Sequence, residues 1–558
     1  MILIIMHKAR GKIKVIFMAK KDYSSWTKDE LIKEIEKKKY GVVWEDKPES
    51  LVQLCKEKLP ILIEEKKKEI KLDGDDLANI LIEGDNYHSL SVLNYTHSGS
   101  VDVIFIDPPY NTGKKDFTYN DNYVEEDDPY RHSKWLSFMG RRLYLAKNLL
   151  KRTGIIFITI SDTEVAQLKL LCDEVFGETN FVADFIWNST KSITNPALIS
   201  VSHTYILTYA KSKSVFDNSY RKNFKLPPIL EGFNNPDNDP RGDWKADPFE
   251  AGGIRPNQMY PIKNPNTGEV FYPAKGNCWK NDKEKFEDLV KDNRIVFGKD
   301  GKGRPQRKRF IWEAEERGLT PNTWWDDVGT TTNGTMELKS LLGDKLFSNP
   351  KPVSLLKKIL LLSAKKNAVV LDFFAGSGTT GHAVMELNTE DGGNRRFILC
   401  TNNENGICDN VCYPRIKKII EQLYKEAKGK LNKNKIGHLK YFRTDFVDAK
   451  TTDANKKKLV DKSTEMLCLK EDCFDEVKEG NSFRIFTNSF DKLLGIIYDD
   501  EGIEPFKKEV KKLNKKFIVY VFSLDDSARD EEFADVADLV DLKPIPAVIL
   551  NVYKRIFK

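Results

Sequence analysis

The chain has 558 residues and a mass of 64.1 kDa, with 40% apolar and 31% charged residues and a mean hydropathy of −0.50. This length predicts about two to four domains, and no run approaches the roughly 18 apolar residues of a membrane helix. Lys+Arg total 90 against Asp+Glu 84, a net +6, which excludes a histone-like binder and requires any nucleic-acid contact to come from local patches.

Met1–Met6 is apolar, but His7, Lys8 and Arg10 follow at once, too soon for a signal-peptide apolar region. Met18 opens a second start, and residues 1–17 are left outside the functional reading. Thr27 with Glu30 makes a capping box for a helix running to about Tyr40. Residues 24–72 as a whole read as polar surface helices, EEKKKEIKLD included.

A different texture begins at Asn79. NILIEGDN, SVDVIFIDPPY, TGIIFITISD (153–162) and HTYILTYAK (203–211) are buried-strand patterns, separated by amphipathic helices such as 134–151 and 163–176. Strands alternating with helices predict a mostly parallel α/β sheet. Residues 212–335 are rich in Pro, Gly, Asn and Trp and read as a loop-rich or β-rich insertion. The α/β texture returns with a helix at 352–364, the strand AVVLDFFAG, a helix from about 377 and the strand RRFILC. From 441 a Lys-rich segment leads to a small α/β tail containing DKLLGIIYDD and KKFIVYVFSL, with a last helix near 546–557. The divisions are therefore a helical lead (1–75), a split core (76–211 and 336–440), the insertion (212–335) and a C-terminal module (441–558). Cys408 and Cys412, like Cys468 and Cys473, lack the spacing of a zinc hook. Reduced thiols, a cytoplasmic location and no metal are expected.

Two strand-end motifs carry chemistry. Asp107-Pro108-Pro109-Tyr110 follows an apolar strand, where α/β sheets bind ligands. Successive prolines fix the backbone and supply no N–H, so the Asp carboxylate and a fixed carbonyl can offer two acceptors to one NH2 group. Tyr110 adds a flat face for stacking a base, while a plain strand-ending turn is the alternative. The second motif is VVLDFFAGSGTTGHAV (369–384), a strand running into Asp372, then Gly376 and Gly378, then a helix. It lacks any Gly-Lys-Ser/Thr phosphate loop. An apolar pocket beside such a turn suits the zwitterion S-adenosylmethionine.

FxGxG together with DPPY resembles the signature pair of amino-group DNA methyltransferases. DPPY preceding FAGSG, with a long insertion between them, resembles the β class, whose insertion is a target-recognition domain. IDPPYNTGKKDFTYND, NPDNDPRGDWK and NPKPVSLLKKIL are most similar to modification subunits of type III restriction systems and their solitary relatives, a likeness spanning about 75–440. The resemblance implies a circularly permuted Rossmann-like α/β fold and methyl transfer from S-adenosylmethionine to adenine N6 in duplex DNA. By the same resemblance Asp107, Pro108, Pro109 and Tyr110 would be catalytic. Asp85 of GDN, Asn349 and Lys351 of FSNPKP, and Asp372, Phe374, Ala375, Gly376, Gly378 and Thr379 would bind the cofactor. The acidic ribose ligand of the family falls near Thr401 here, and Glu404 is the nearest acid; ribose contact and a surface turn both stay open.

Hydrogen bonds from N6–H to Asp107 and to the Pro108 carbonyl would localise the amine lone pair, and the base must leave the duplex to reach them. Cytosine-C5 chemistry needs a Pro-Cys nucleophile, and the chain has no such dipeptide; cytosine-N4 transfer and an inactive DNA-binding subunit are the alternatives. Lys299, Lys302, Arg304, Arg307, Lys308 and Arg309, followed by Phe310 and Trp312, form a basic cluster expected to contact phosphates. Trp324 and Trp325 are expected in the core of the insertion. Pro236-Asp237 with Asp243-Trp244-Lys245 imitates a nuclease signature but reads as an accident of a loop. A homodimer, and a helicase–nuclease restriction subunit where one exists, are the partners implied besides DNA.

Overall fold

The apolar runs of the core assemble into one ten-stranded sheet. In chain order its strands are β1 (Leu59–Glu64), β2 (Ala78–Glu83), β3 (Val101–Ile106), β4 (Leu150–Ile160), β5 (Phe181–Trp187), β6 (Thr204–Ala210), β7 (Trp324–Trp325), β8 (Val369–Asp372), β9 (Arg396–Thr401) and β10 (His438–Val447). The computed structural model describes the chain other than residues 1–2, 10–11, 19–26, 29–40, 73–77, 115, 121, 194–196, 221–223, 299, 344–346, 427–436, 449–452, 489, 523–528, 547–548 and 550–558. The capping box at Thr27 and Glu30, its helix and the helix expected near 546–557 fall largely outside the described residues.

The spatial order is β7–β5–β6–β4–β3–β8–β9–β2–β10–β1, parallel except for β6 and the edge strand β1. β3 leads through helix α2 (Arg131–Leu149) to its neighbour β4, while β8 leads through α5 (Thr379–Asp391) to β9 on the opposite side. Crossovers that depart in opposite directions open a crevice at the carboxyl ends of β3 and β8. Since β3 precedes β8 in the chain, the sheet is a permuted Rossmann-like one.

Strand alternation divides the interior into two cores. Ile104 and Ile106 pack with Leu90 of α1 (Asn86–Thr96), Trp135 and Met139 of α2 and Leu168 of α3 (Val165–Phe176). Val103 and Phe105 point the other way, toward Leu355 and Ile359 of α4 (Val353–Ser363), Val384 of α5 and Ile416 of α6 (Tyr413–Glu426). Helices thus cover both faces, as a parallel sheet requires.

Three expectations need correction. LPILIE is a buried strand rather than surface helix: Leu59, Ile61 and Leu62 close the first core beside β10, and only Lys66–Lys68 of the charged stretch forms a helical turn. Its apolar centre outweighs its charged flanks. Trp325 is buried in the second core, stacked on Phe185 with ring centroids 4.4 Å apart, so it belongs to the central sheet and not to the insertion; Trp324 is half exposed. The insertion has its own core around Phe249, Tyr260, Trp279 and Phe297. There Trp244–Pro248, expected to be loop, is a strand paired with Gln306–Phe310.

β10 carries the central sheet to Val447, and α7 (Asp453–Glu471) packs Leu459 and Met466 into the first core. A separate five-stranded sheet over 475–542 then surrounds Phe506 and Val519. Among the described residues no helix is long and apolar enough to cross a membrane.

Candidate active site

The crevice between β3 and β8 is a cavity of about 870 Å³ lined by both strand-end motifs, within the range of small-molecule sites. Asp107 and the segment Pro108–Tyr110 form one wall. Asp372, Phe374, Ala375, Gly376 and Thr379 form another, and Asp85, Asn349, Lys351 and Glu404 complete it. Gly378 is absent from the lining.

Asp107 leaves β3 with its carboxylate already oriented. Thr159 Oγ1 on β4 donates to Oδ1 at 2.5 Å, the Tyr110 hydroxyl donates to the same atom at 3.0 Å, and Lys351 Nζ pairs with Oδ2. Two donors fill Oδ1, whereas Oδ2 keeps a lone pair in reserve. Trp135 Nε1 donates to the Pro109 carbonyl at 2.8 Å, and no donor among the described residues reaches the Pro108 carbonyl. Burial first, then the Asp107 charge, holds the Tyr110 phenol well above its ordinary pKa, so it stays a donor. Lys351 Nζ lies 5.5 Å from the Tyr110 ring centroid.

The FAGSG turn is built by its own backbone. Asp372 accepts from Phe374 N–H at 3.0 Å and from Thr380 Oγ1 at 2.5 Å. Its carboxyl therefore shapes the turn from within the cavity wall. Gly376 has φ 49°, and a Cβ there would lie 3.0 Å from the Phe347 ring, so the turn accepts only glycine without strain. Gly378 starts α5 at φ 78° and approaches Cys412, a packing role rather than a ligand contact. The Thr379 hydroxyl accepts from buried Arg415 at 2.8 Å. Arg415 also reaches Ser377 Oγ and His382, and burial lowers its pKa to about 10.

Burial, reinforced by Asp107, raises Asp372 from 3.8 to about 7. A folded value above the unfolded one means that this group's stability contribution is complete at acid pH and lost as pH rises toward 7. Asp372→Asn should remove that decline. The unfolding temperature of the variant, measured relative to wild type, should rise between about pH 4 and pH 7 and level off above that; a constant difference would contradict the assignment.

Asp85 caps α1, accepting from Tyr87 N–H at 2.6 Å, and faces Arg142 Nη2 at 3.4 Å. Arg142, fully buried, is held by Glu49 Oε1 at 2.6 Å, a wall contact that the sequence did not indicate. Glu404 stands exposed at the rim in the turn after β9, near Asn402. A second cavity of about 800 Å³ lies between β10 and the C-terminal module, but its charges are largely spent internally: Lys440 pairs with Glu64 and Glu69, and Arg484 with Glu476.

The basic cluster does not stand as expected. Lys308 is completely buried between Asp237 and Asp239, because strand alternation turns it inward. Arg304 is held by Glu250, Arg307 by Glu313 and Arg309 by Asp247. Lys302 is exposed, its backbone N–H donating to Asp300 Oδ1 at 3.1 Å while its ammonium makes no ion pair among the described residues, and Lys299 lies outside them. The nuclease-like Asp237 is thus a partner of Lys308, and among the described residues no group of acids, histidines or cysteines could hold a metal.

Residues 101–413 match the model of the N6_N4_Mtase family, described as DNA methylase. The chain is 38% identical over 395 residues to the type III restriction-modification enzyme StyLTI Mod subunit of Salmonella typhimurium, covering 64% of this chain and 58% of that one. It is 32% identical over 430 residues to the EcoPI Mod subunit of Escherichia phage P1, covering 66% and 65%. To the type II methyltransferase M.KpnI of Klebsiella pneumoniae it is 33% identical over 407 residues, covering 67% and 90%. The aligned part thus spans about three-fifths of the two Mod subunits. The family match begins at β3 and ends just beyond the turns that close the cavity, so both strand-end motifs fall within it, and the chain belongs to the N6_N4_Mtase family of DNA methylases.

Proposed function

We propose that this protein is a site-specific DNA methyltransferase that transfers the methyl of S-adenosylmethionine to adenine N6, with the target base flipped out of the duplex. The observation that carries the reading is that Asp107 and the FAGSG turn share one crevice. The groups around it fit that cofactor. Gly376 leaves backbone open to a close ligand, Asp85 and Glu404 offer acceptors to nucleoside hydroxyls or amine, and Asn349 stands by the aromatic Phe347. When bound, the cofactor supplies an electrophilic methyl on a sulfonium.

The rest is the work of the chain. Thr159, Tyr110 and Lys351 fix the Asp107 carboxylate so that the free lone pair of Oδ2 and the Pro108 carbonyl can each accept one N–H of an exocyclic amine. Two such bonds draw the amine toward a tetrahedral geometry and localise its lone pair. Fixed geometry of this kind can supply up to roughly 7–11 kcal/mol of a barrier. Tyr110 would stack on the flipped base.

Duplex DNA is the substrate partner in this reading, with Lys302 as a phosphate contact on the insertion. Lys302→Ala should weaken binding uniformly across sequences and reduce the salt slope by about 1; an unchanged slope removes this residue from the interface. The likeness to Mod subunits supports pairing with a restriction subunit, and a homodimer is proposed on the same ground. Mapping methylated bases by single-molecule sequencing, with and without the gene, tests the function: modified adenines at one motif should vanish with the gene. Modified cytosines instead would indicate N4 transfer, and an unchanged map would refute the reading.

A further inference from the structure

The turn that carries Asp107 is fastened at its far end by a buried cluster that methyl transfer itself does not use. Asn111 follows Tyr110, is fully buried and adopts a left-handed φ of 58°, a conformation asparagine tolerates better than most residues. Its Nδ2 donates to Glu164 Oε1 at 2.6 Å and to the Arg131 carbonyl at 3.3 Å. Glu164 immediately precedes α3, and its side chain is also fully buried.

His132 Nδ1 lies 2.6 Å from the same Oε1, and its Nε2 accepts from Arg131 Nε at 3.2 Å. A ring whose Nε2 accepts must carry its proton on Nδ1, so the imidazole is a neutral donor to Glu164. Two acceptors are left over: Asn111 Oδ1 and Glu164 Oε2 are both buried and have no hydrogen-bond partner among the described residues. An ionised carboxylate leaves both orphaned, which buried polar groups avoid. One proton on Oε2 resolves the conflict, because a carboxylic acid and a primary amide each present one donor and one acceptor.

We propose that Glu164 is a positioning residue: as a neutral acid it clasps the Asn111 carboxamide and thereby holds the Asp107–Tyr110 turn against the cofactor cavity. Burial acts in the same direction, raising the pKa of Glu164. The clasp completes a three-point mounting of the turn, with Thr159 on Asp107 and Trp135 on the Pro109 carbonyl as the other two points. Its consequence for catalysis rests on the methyltransferase reading of the site.

The test uses the full chain and counts active sites by calorimetric titration with S-adenosylhomocysteine, so that unfolded protein does not enter the rate. Glu164→Ala should lower kcat per cofactor-binding site by about 10²-fold, the scale of a small misplacement of reacting groups, with the KM for DNA moved far less. Asn111→Gly, which keeps the backbone conformation and deletes the amide, should match it. The double variant should be no worse than either single one, since both remove one interaction. Glu164→Gln keeps a neutral donor–acceptor pair and should restore kcat to within about threefold of wild type.

A wild-type kcat per binding site in Glu164→Ala, or in Asn111→Gly if the former does not fold, would overturn the positioning role. Glu164→Gln as impaired as Glu164→Ala would overturn the neutral acid. The infrared difference spectrum of wild type minus Glu164→Gln at neutral pH reads the proton without any substrate: a protonated carboxyl C=O band is expected, and its absence contradicts the clasp. Failure of wild type to methylate DNA while that band is present would instead sink the function reading and leave the clasp standing.

Discussion

Asp107→Ala is expected to lower methyl transfer by at least about 10³-fold, the upper scale for deleting one preorganised polar group at a reacting centre. Cofactor affinity should stay near the wild-type value. The two effects separate because Asp107 sits at the β3 end of the crevice, whereas the FAGSG turn that would cradle the cofactor hangs from β8 and is shaped by Asp372, Phe374 and Thr380. Alanine removes the Oδ2 lone pair that would accept the amine and leaves Lys351 without its partner. An unpaired ammonium facing an amine that should become more nucleophilic makes matters worse, so the loss falls on kcat. Single-turnover rates with saturating cofactor measure it, and retained transfer would refute the role given to Asp107.

The second large effect is expected at Gly376. A valine there must adopt a left-handed φ of 49° and place its Cβ 3.0 Å from the Phe347 ring. Backbone strain of about 1–3 kcal/mol adds to the volume of the new side chain at the cavity wall. Gly376→Val should therefore raise the Kd for S-adenosylmethionine by at least about 30-fold, more than 2 kcal/mol in affinity. Equilibrium dialysis measures it directly. Normal affinity would place the cofactor elsewhere.

The contrast between what the sequence revealed and what it concealed is physical. β3 and β8 were legible because each is a short apolar run ended by turn chemistry, Asp-Pro-Pro in one and Gly-x-Gly in the other. A parallel strand buried on both faces has to look like that. LPILIE was missed because its six residues are flanked by lysines and glutamates with the texture of a surface helix, and only pairing with β10, far along the chain, reveals it.

The site shows the same division. Residues within a motif were readable, but their partners come from distant segments. Lys351 meets Asp107 across 244 residues, Arg142 meets Glu49 across 93, and Asn111 meets Glu164 across 53. No local spacing encodes these pairs. Within the basic cluster at 299–309 Lys308 was misplaced for a related reason: a count of charges along the chain omits the acids that folding brings to it. Asp237 and Asp239 lie about seventy residues before Lys308, and together they neutralise it inside the insertion.

The proposed activity of the crevice between β3 and β8 is methyl transfer to adenine N6. Purified protein incubated with labelled S-adenosylmethionine and unmethylated genomic DNA, followed by nucleoside digestion and mass spectrometry, tests it most directly. Label in N6-methyladenine with wild type, and none with Asp107→Ala, is the predicted result. Label in N4-methylcytosine, or bound DNA without label, would contradict it.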